Sequence, residues 1–119
     1  MANIQQIEKF KDRTKLFCLR IIRLFQALPK SDEARIIGKQ IVRSATSVAA
    51  NYRAACRARS EKEFFSKISI VVEEADETLF WLEILRDAKI VEEFRLSELI
   101  NESTEILKIV NTVRHKKKV

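Results

Sequence analysis

The chain has 119 residues, of which 46% are hydrophobic and 34% are charged. This balance is typical of amphipathic helices in one small domain and excludes a disordered chain. A single glycine and a single proline leave few turn-forming positions, which excludes a sheet protein with a turn about every ten residues. No apolar run approaches the roughly 18 to 20 residues that cross a bilayer, and the first residues are not a signal peptide.

The two cysteines indicate a reducing compartment. Cys18 and Cys56 lie far apart in the sequence, without partners at metal-ligand spacing. We therefore predict free buried thiols in a cytoplasmic protein, with no metal, no cofactor and no membrane partner. The only histidine, His115, has no carboxylate or cysteine at a useful spacing, so we predict no metal or catalytic role for it.

Apolar residues recur every three or four positions over four segments, which is the period of a helix facing a core. The first predicted helix runs from about Asn3 to Leu28. It ends before Pro29, because the residue that precedes a proline is pushed out of the α region. Its apolar stripe is wider than a single neighbouring helix requires, which predicts a second buried face.

The second predicted helix runs from about Glu33 to Arg57 or Ala58. Its inward stripe is mostly small or hydroxylated, so neighbouring helices can come close. Gly38 costs about 1 kcal/mol relative to alanine, and a closely approaching helix would explain it. Two polar residues, Ser44 and Asn51, lie on this stripe. We expect Asn51 to organise a buried polar network that fixes the register of the helices.

The third predicted helix begins with a capping box formed by Ser60 and Glu63. It carries a core stripe and a second apolar line about 100° away around the helix. The second line exceeds what a lone four-helix bundle buries, so part of it is predicted to face another subunit. The core stripe comprises Phe65, Ile68, Val72, Ala75, Leu79 and Leu82, and the interface residues predicted on the second line are Phe64, Val71 and Trp81.

The fourth predicted helix begins at about Glu92 or Ser97 and ends at about Val113. We divide the chain into a four-helix bundle domain, 1–113, and a frayed basic C-terminal tail, 114–119. The predicted fold class is all-α, an up-down-up-down antiparallel four-helix bundle. The surplus apolar surface predicts self-association.

The net charge of +6 is distributed unevenly along the chain. Segments 1–29, 30–59 and 94–119 carry +4, +5 and +3, whereas 60–93 carries −6. One acidic helix therefore lies among basic ones. The opposite charges either pair between helices or subunits, or form separate faces that meet different partners.

Basic residues cluster towards the end of the second helix and in the tail. Basic side chains gain affinity for phosphates mainly by releasing counterions, which predicts contact with nucleic acid. The alternative is ion pairing with the acidic residues 73–77 of the third helix, in the same subunit or the next, and the two can coexist. The predicted nucleic-acid-binding residues are Arg43, Arg53, Arg57, Arg59, Lys116, Lys117 and Lys118.

The sequence offers little for enzyme chemistry. A di-metal carboxylate bundle needs Glu-x-x-His pairs that project inward, and the only histidine lies in the tail. The sequence contains no glycine-rich phosphate loop, no paired thiol motif and no nucleophile with an activating base. We predict that the protein is not an enzyme.

An ordered series of short motifs resembles the four-helix bundle protein family, also called the intervening-sequence proteins because some members are encoded within inserts in bacterial large-subunit ribosomal RNA genes. The resemblance covers roughly Arg20 to Val113. Its main motifs are GKQIVRS at Gly38–Ser44, NYRAACRARS at Asn51–Ser60 and EEADETLFWLE at Glu73–Glu83.

The resemblance implies an up-down-up-down helical bundle, cytoplasmic in bacteria and commonly assembled as a homo-oligomeric ring of five subunits. A distant relative is the accessory protein of diversity-generating retroelements, which binds a reverse transcriptase and nucleic acid. Many members have an acidic-glycine ending where this chain has Tyr52–Arg57, which marks a subgroup.

Two function hypotheses are consistent with these features. In the first, a non-enzymatic, self-associating bundle binds RNA or DNA, or a ribonucleoprotein, and the ring multiplies a weak basic surface into a useful one. In the second, the protein is an adaptor or scaffold whose basic face docks an acidic protein, such as a polymerase-like enzyme, without touching nucleic acid.

Overall fold

The computed structural model of the chain describes residues 3–116, which form four long helices and no strand. Helix α1 spans Ile4–Ala27, α2 spans Asp32–Cys56, α3 spans Glu61–Asp87 and α4 spans Glu93–Lys116. Connections of only four or five residues place consecutive helices side by side and antiparallel. The predicted all-α four-helix bundle is confirmed.

Short polar side chains set the beginnings of the first three helices. Asn3 forms a capping box with Gln6 at the start of α1. The hydroxyl of Ser31 accepts from the backbone N–H of Ala34 at 3.3 Å, and that of Ser60 accepts from Glu63 at 3.0 Å. These caps satisfy backbone donors that have no partner within the helix.

The end of α3 is closed without a glycine. Lys89 has a φ of 58°, in the left-handed region that a glycine usually occupies at this position. The backbone N–H of Ile90 then bonds to the carbonyl of Leu85 at 3.0 Å, and that of Lys89 bonds to Arg86 at 3.0 Å. This pair of bonds is a Schellman motif, and it turns the chain towards α4.

The helices lie in a square in which each contacts its two neighbours. The contact between α2 and α3 is the most extensive, and that between α1 and α4 is the least. Within residues 3–116, α1 does not contact α3 and α2 does not contact α4, so these pairs lie diagonally across the bundle.

Ion pairs bridge the sparse junction between α1 and α4. The guanidinium of Arg13 donates two bonds to the carboxylate of Glu102, at 2.7 and 2.8 Å. Arg20 lies 3.7 Å from Glu98 nearby. The bidentate bonds lower the pKa of Glu102, because they favour its charged form.

Small residues of α2 let α1 approach closely, as the sequence predicts. A Cβ atom added to Gly38 would lie 2.5 Å from Cδ1 of Phe25 and 2.8 Å from Cδ1 of Leu28. The side chains of Ala34 and Ala45 are fully buried on the same helix. Position 38 is therefore a glycine because Phe25 of α1 and Leu28, which follows α1, occupy the space that a Cβ atom would need.

The second apolar line of α3 is largely covered within one subunit. Val71 and Leu85 are fully buried, and Thr78 is buried with them. The prediction that Val71 faces another subunit is therefore wrong, because α3 packs between α2 and α4 and buries a stripe wide enough for both. Phe64 and Trp81 are partly buried and pack against the same core.

Helix α4 continues beyond its predicted end at Val113. Arg114, His115 and Lys116 are helical, so the expected frayed tail does not begin at 114. The guanidinium of Arg114 lies 5.8 Å from the ring centroid of Phe65 on α3, which favours the extra turn. The predicted binding residues Lys117 and Lys118 lie outside the described residues.

Candidate nucleic-acid interface

The outer face of α2 carries a continuous line of basic side chains, which we call the basic stripe. Its residues recur at helical spacing and are all exposed. They extend over 23 residues, or about 33 Å. The stripe comprises Arg35, Lys39, Arg43, Arg53 and Arg57, with Thr46 and Ala50 between its two halves.

Carboxylates are missing from this part of the sequence. Residues 34–60 contain no aspartate or glutamate. Arg35 and Lys39, which are not among the predicted binding residues, extend the predicted cluster towards the start of α2. The acid-free run is the signal that identifies them.

Arg43 is held by the neighbouring helix. Its guanidinium donates to Glu74 at 3.0 Å and also contacts Glu77, both on α3. Glu77 accepts a further bond from the indole N–H of Trp81 at 3.0 Å. The bonds from Trp81 and Arg43 lower the pKa of Glu77, and the same carboxylate raises the pKa of Arg43. For Arg43, the alternative of pairing with helix three therefore holds within the subunit.

The other cations of the stripe, and Arg59 just beyond it, are paired weakly or not at all. Arg35 contacts Asp32 at 3.2 Å and Arg59 contacts Glu63 at 3.6 Å, and both pairs are exposed. Such pairs contribute little and are readily exchanged for a phosphate. Within residues 3–116, no carboxylate lies within 4.0 Å of Lys39, Arg53 or Arg57, all three exposed. These three side chains are the free cations of the stripe.

Aromatic packing fixes the half of α2 that carries Arg53 and Arg57. The ring of Tyr52 meets that of Phe10 on α1 edge-to-face, with centroids 4.9 Å apart. Tyr52 is buried, so the opposite side of α2 is directed outward. Arg53 is thus displayed on a rigid helix, and Arg57 follows directly as its C-cap residue.

The predicted polar residues of the core have different roles. Ser44 is fully buried and accepts a hydrogen bond from the hydroxyl of Thr78 on α3 at 2.8 Å. Asn51 is only partly buried and donates to Ser47 of its own helix, to the carbonyl and to the hydroxyl, both at 3.0 Å. These bonds do not link Asn51 to another helix, so the expected register contact is made by Ser44 instead.

The topology places the end of α4 at the same end of the bundle as the end of α2. Lys116 is exposed there, on the helix diagonal to Arg57 and Arg59. The structure therefore brings Lys116 to the same end but not to the basic stripe.

The thiols are shielded rather than activated. Burial raises the pKa of Cys18 and of Cys56. A raised pKa lowers the fraction of thiolate, which is the nucleophilic form. Among the described residues, no group of three or more His, Cys, Asp or Glu could hold a metal ion. None of the four described helices contains an apolar stretch long enough to cross a membrane.

The sequence matches the family described as 23S rRNA-intervening sequence protein over residues 8–112. The chain belongs to this family. The resemblance seen in the short motifs of α2 and α3 is thereby confirmed.

A solved structure of a related protein shows the same architecture. The fold is similar to that of a protein with unknown function from the S23 ribosomal protein family of Bacteroides thetaiotaomicron VPI-5482, with a TM-score of 0.84. The two sequences are 34% identical, and the match covers 92% of this chain and 97% of that chain. No curated protein matches the sequence significantly.

Proposed function

We propose that this protein is a non-enzymatic, self-associating helical bundle that binds nucleic acid through the basic stripe of α2. One observation carries the proposal. Lys39 and Arg53 on α2 and Arg57 at its C-cap are exposed along one line and have no carboxylate partner among residues 3–116.

The stripe suits the phosphate backbone better than base edges. Its free cations are spread over about 27 Å, a length along which one strand offers a phosphate about every 3.4 Å. The small side chains of Thr46 and Ala50 lie between them, so a strand can approach the helix closely. Backbone contacts of this kind position a ligand and carry no sequence information directly. Binding should therefore show little sequence preference.

Self-association completes the proposed function. The family resemblance suggests a ring of five subunits, which would repeat the stripe five times. A single stripe has few free cations, and linking several copies raises the overall affinity through a high effective concentration. The family description names 23S rRNA, so a structured ribosomal RNA fragment is the first probe to use.

The test compares two double variants that remove the same charge. Arg53→Gln with Arg57→Gln removes two cations of the stripe. Lys62→Gln with Lys108→Gln removes two exposed lysines of α3 and α4 that make no ion pair within the described residues. Fluorescence anisotropy measures the Kd of each for structured RNA and for duplex DNA at several salt concentrations.

We expect the arginine variant to bind at least about tenfold more weakly, with a salt slope reduced by about one for each phosphate that is no longer bound. The lysine variant should stay close to the wild-type affinity. Equal weakening in both variants, or no binding by the wild-type protein at low salt, would disprove the assignment of the stripe. The second of these outcomes would favour the adaptor hypothesis, in which an acidic protein occupies the same surface.

A further inference from the structure

Two exposed apolar patches lie on diagonally opposite helices. On α1, the side chains of Leu16 and Leu19 are 60% and 45% exposed. On α3, the side chain of Phe80 is 49% exposed. Single exposed apolar side chains are common on protein surfaces, so it is the charge around these three that distinguishes them.

Positive charge predominates around the leucines, although the exposed Asp12 lies one turn before Leu16. Lys15 and Arg23 are exposed on the same outer side of α1, at helical spacing from the leucines. Arg20 lies beside them, and its one ion pair within the described residues, at 3.7 Å, is with a glutamate that is 92% exposed. We call residues 15–23 with this pattern the leucine face.

The phenylalanine is surrounded by negative charge. Glu73, Asp76 and Glu83 lie on the same outer side of α3 as Phe80. The ring of Phe80 packs edge-to-face on that of Trp81, with centroids 5.0 Å apart, so the exposed ring is held in position. We call residues 73–83 with this pattern the phenylalanine face.

We propose that the leucine face of one copy of the chain docks on the phenylalanine face of the next copy. The inference rests on the self-association in the proposed function and names the surfaces that achieve it. Three basic side chains meet three acidic ones, and two leucines cover one positioned aromatic ring, the kind of anchor that dominates binding energy. The faces extend over about 12 and 15 Å of helix, so their sizes match.

The fold makes this contact a head-to-tail one. Because α1 and α3 lie diagonally across the bundle, a subunit presents one face on each side, and neither face can satisfy itself across a two-fold axis. Both faces lie in the C-terminal halves of helices that run in the same direction. Neighbouring copies therefore dock at about the same height, and the head-to-tail contacts form a ring where the rotation between successive copies closes. The basic stripe of α2 stays uncovered.

Two variants, each with one face disabled, test the proposal. Variant A carries Leu16→Glu and Leu19→Glu, which place negative charge opposite the acidic face. Variant B carries Phe80→Lys, which places positive charge opposite the basic face. Ile36→Glu is the control, because Ile36 is an exposed apolar residue of α2 that lies outside both faces. Sedimentation equilibrium gives the mass of each protein, and circular dichroism confirms that each is folded.

We expect wild type and the control to share one oligomeric mass, and A and B alone to be monomers of about 13.9 kDa. An equimolar mixture of A and B should form a dimer of twice that mass. The intact acidic face of A fits the intact basic face of B. The other pair of faces has lost both the leucines and the phenylalanine, and the exposed glutamate–lysine contacts that replace them contribute little.

Each other outcome overturns the proposal. If A or B alone keeps the wild-type mass, or if the mixture stays monomeric, the faces are wrong even where wild type is a ring. A dimer of A alone or of B alone would show a symmetric contact. A monomeric wild type would remove the ring and these faces together, and RNA binding by the basic stripe would then be decided separately by the arginine variants.

Discussion

At the scale of single residues, the bundle is specified where α2 meets its neighbours. Gly38 accommodates a ring of α1, and the hydroxyl pair of Ser44 and Thr78 joins α2 to α3. The hydroxyl of Ser44 also donates to the carbonyl of Ile41 at 3.2 Å, so the buried pair leaves neither oxygen without a partner. An unpaired hydroxyl in that position would cost about 1–3 kcal/mol.

Gly38→Ala should destabilise the protein, against the usual preference of a helix. Alanine gains about 1 kcal/mol of helix propensity over glycine, but the new methyl group displaces Phe25 and Leu28, and overpacking costs about 1–3 kcal/mol. We expect a net decrease of about 1 kcal/mol in the free energy of unfolding. Urea denaturation at a fixed protein concentration, followed by the fluorescence of the single tryptophan, measures it.

The matched control is Ala50→Gly, at an exposed position of the same helix. It should lower stability by about 1 kcal/mol through propensity alone. A Gly38→Ala protein more stable than wild type would show that the ring of Phe25 moves aside at little cost.

At the scale of elements, sequence patterns define the helices better than they define the helices' neighbours. The bounds of α1 and α2 and the start of α3 lie within a residue or two of prediction, because Pro29 and Ser60 are local signals with local causes. Val71 is wrongly predicted at a subunit contact because periodicity gives the width of an apolar stripe, not the number of helices that cover it. The sequence also gives no sign of the bond between Thr78 and Ser44, because spacing along one helix does not identify a hydrogen-bond partner on another helix.

The candidate site was likewise predictable in part: the sequence indicates which residues are basic, but not which of them are already paired. Composition predicts the arginines at the end of α2, and the acid-free run would also have identified Arg35 and Lys39. The sequence could not show which of them a carboxylate already occupies. Arg43 is held by α3 and Arg53 is not, and only the register of α2 against α3 decides between them.

The junction of α1 and α4 should depend on pH through Glu102. Its pKa is lowered in the folded protein, so the bond to Arg13 stabilises the fold above the ordinary value of 4.5 and this stabilisation disappears as the pH falls through the folded value. Both side chains are partly exposed, so Glu102→Gln should cost only about 0.5–1 kcal/mol at pH 7. The cost should shrink as the pH falls below 4.5.

Urea denaturation of wild type and variant at about pH 7 and about pH 3, above and below the ordinary carboxyl pKa of 4.5, gives the two differences. Glu98→Gln is the comparison, because Glu98 is almost fully exposed and meets Arg20 at a longer distance. It should change stability by less than about 0.5 kcal/mol at either pH. An equal effect of both variants would mean that the bidentate geometry adds nothing.

At the scale of the whole molecule, opposite charges are sorted onto different helices. The basic stripe lies on α2, the leucine face on α1 and the phenylalanine face on α3. A charge pattern that looks like internal pairing in the sequence is, for most of these residues, a set of separate surfaces. Substitutions in the leucine face or the phenylalanine face therefore leave the cations of the basic stripe in place.

Phe80→Lys should weaken binding to long RNA and spare binding to short RNA. The substitution adds a positive charge, so electrostatics alone would tighten binding to either. If it disables the ring, an RNA of about 60 nucleotides can no longer bind several linked subunits at once and should bind at least about 100-fold more weakly, within the range of avidity effects. An oligonucleotide of about ten nucleotides reaches one subunit, so its affinity should change less than about threefold.

Anisotropy titrations with the two lengths, at one salt concentration, make the comparison. Ile4→Lys is the control, because it adds the same charge at an exposed apolar position at the start of α1, outside both faces. It should not weaken the binding of either RNA. Tighter binding of the long RNA by Phe80→Lys would show that charge, and not the number of linked subunits, governs affinity.

The diagonal placement of α1 and α3 also determines which surface of the proposed assembly a polyanion can bind. When α1 and α3 form the contacts between subunits, α2 of every copy lies on one side of the ring and α4 lies on the other. A nucleic-acid strand that follows the α2 side would contact the same guanidinium groups once per subunit, at regular intervals. The opposite side, formed by α4 with its mixed charges, would offer no such track.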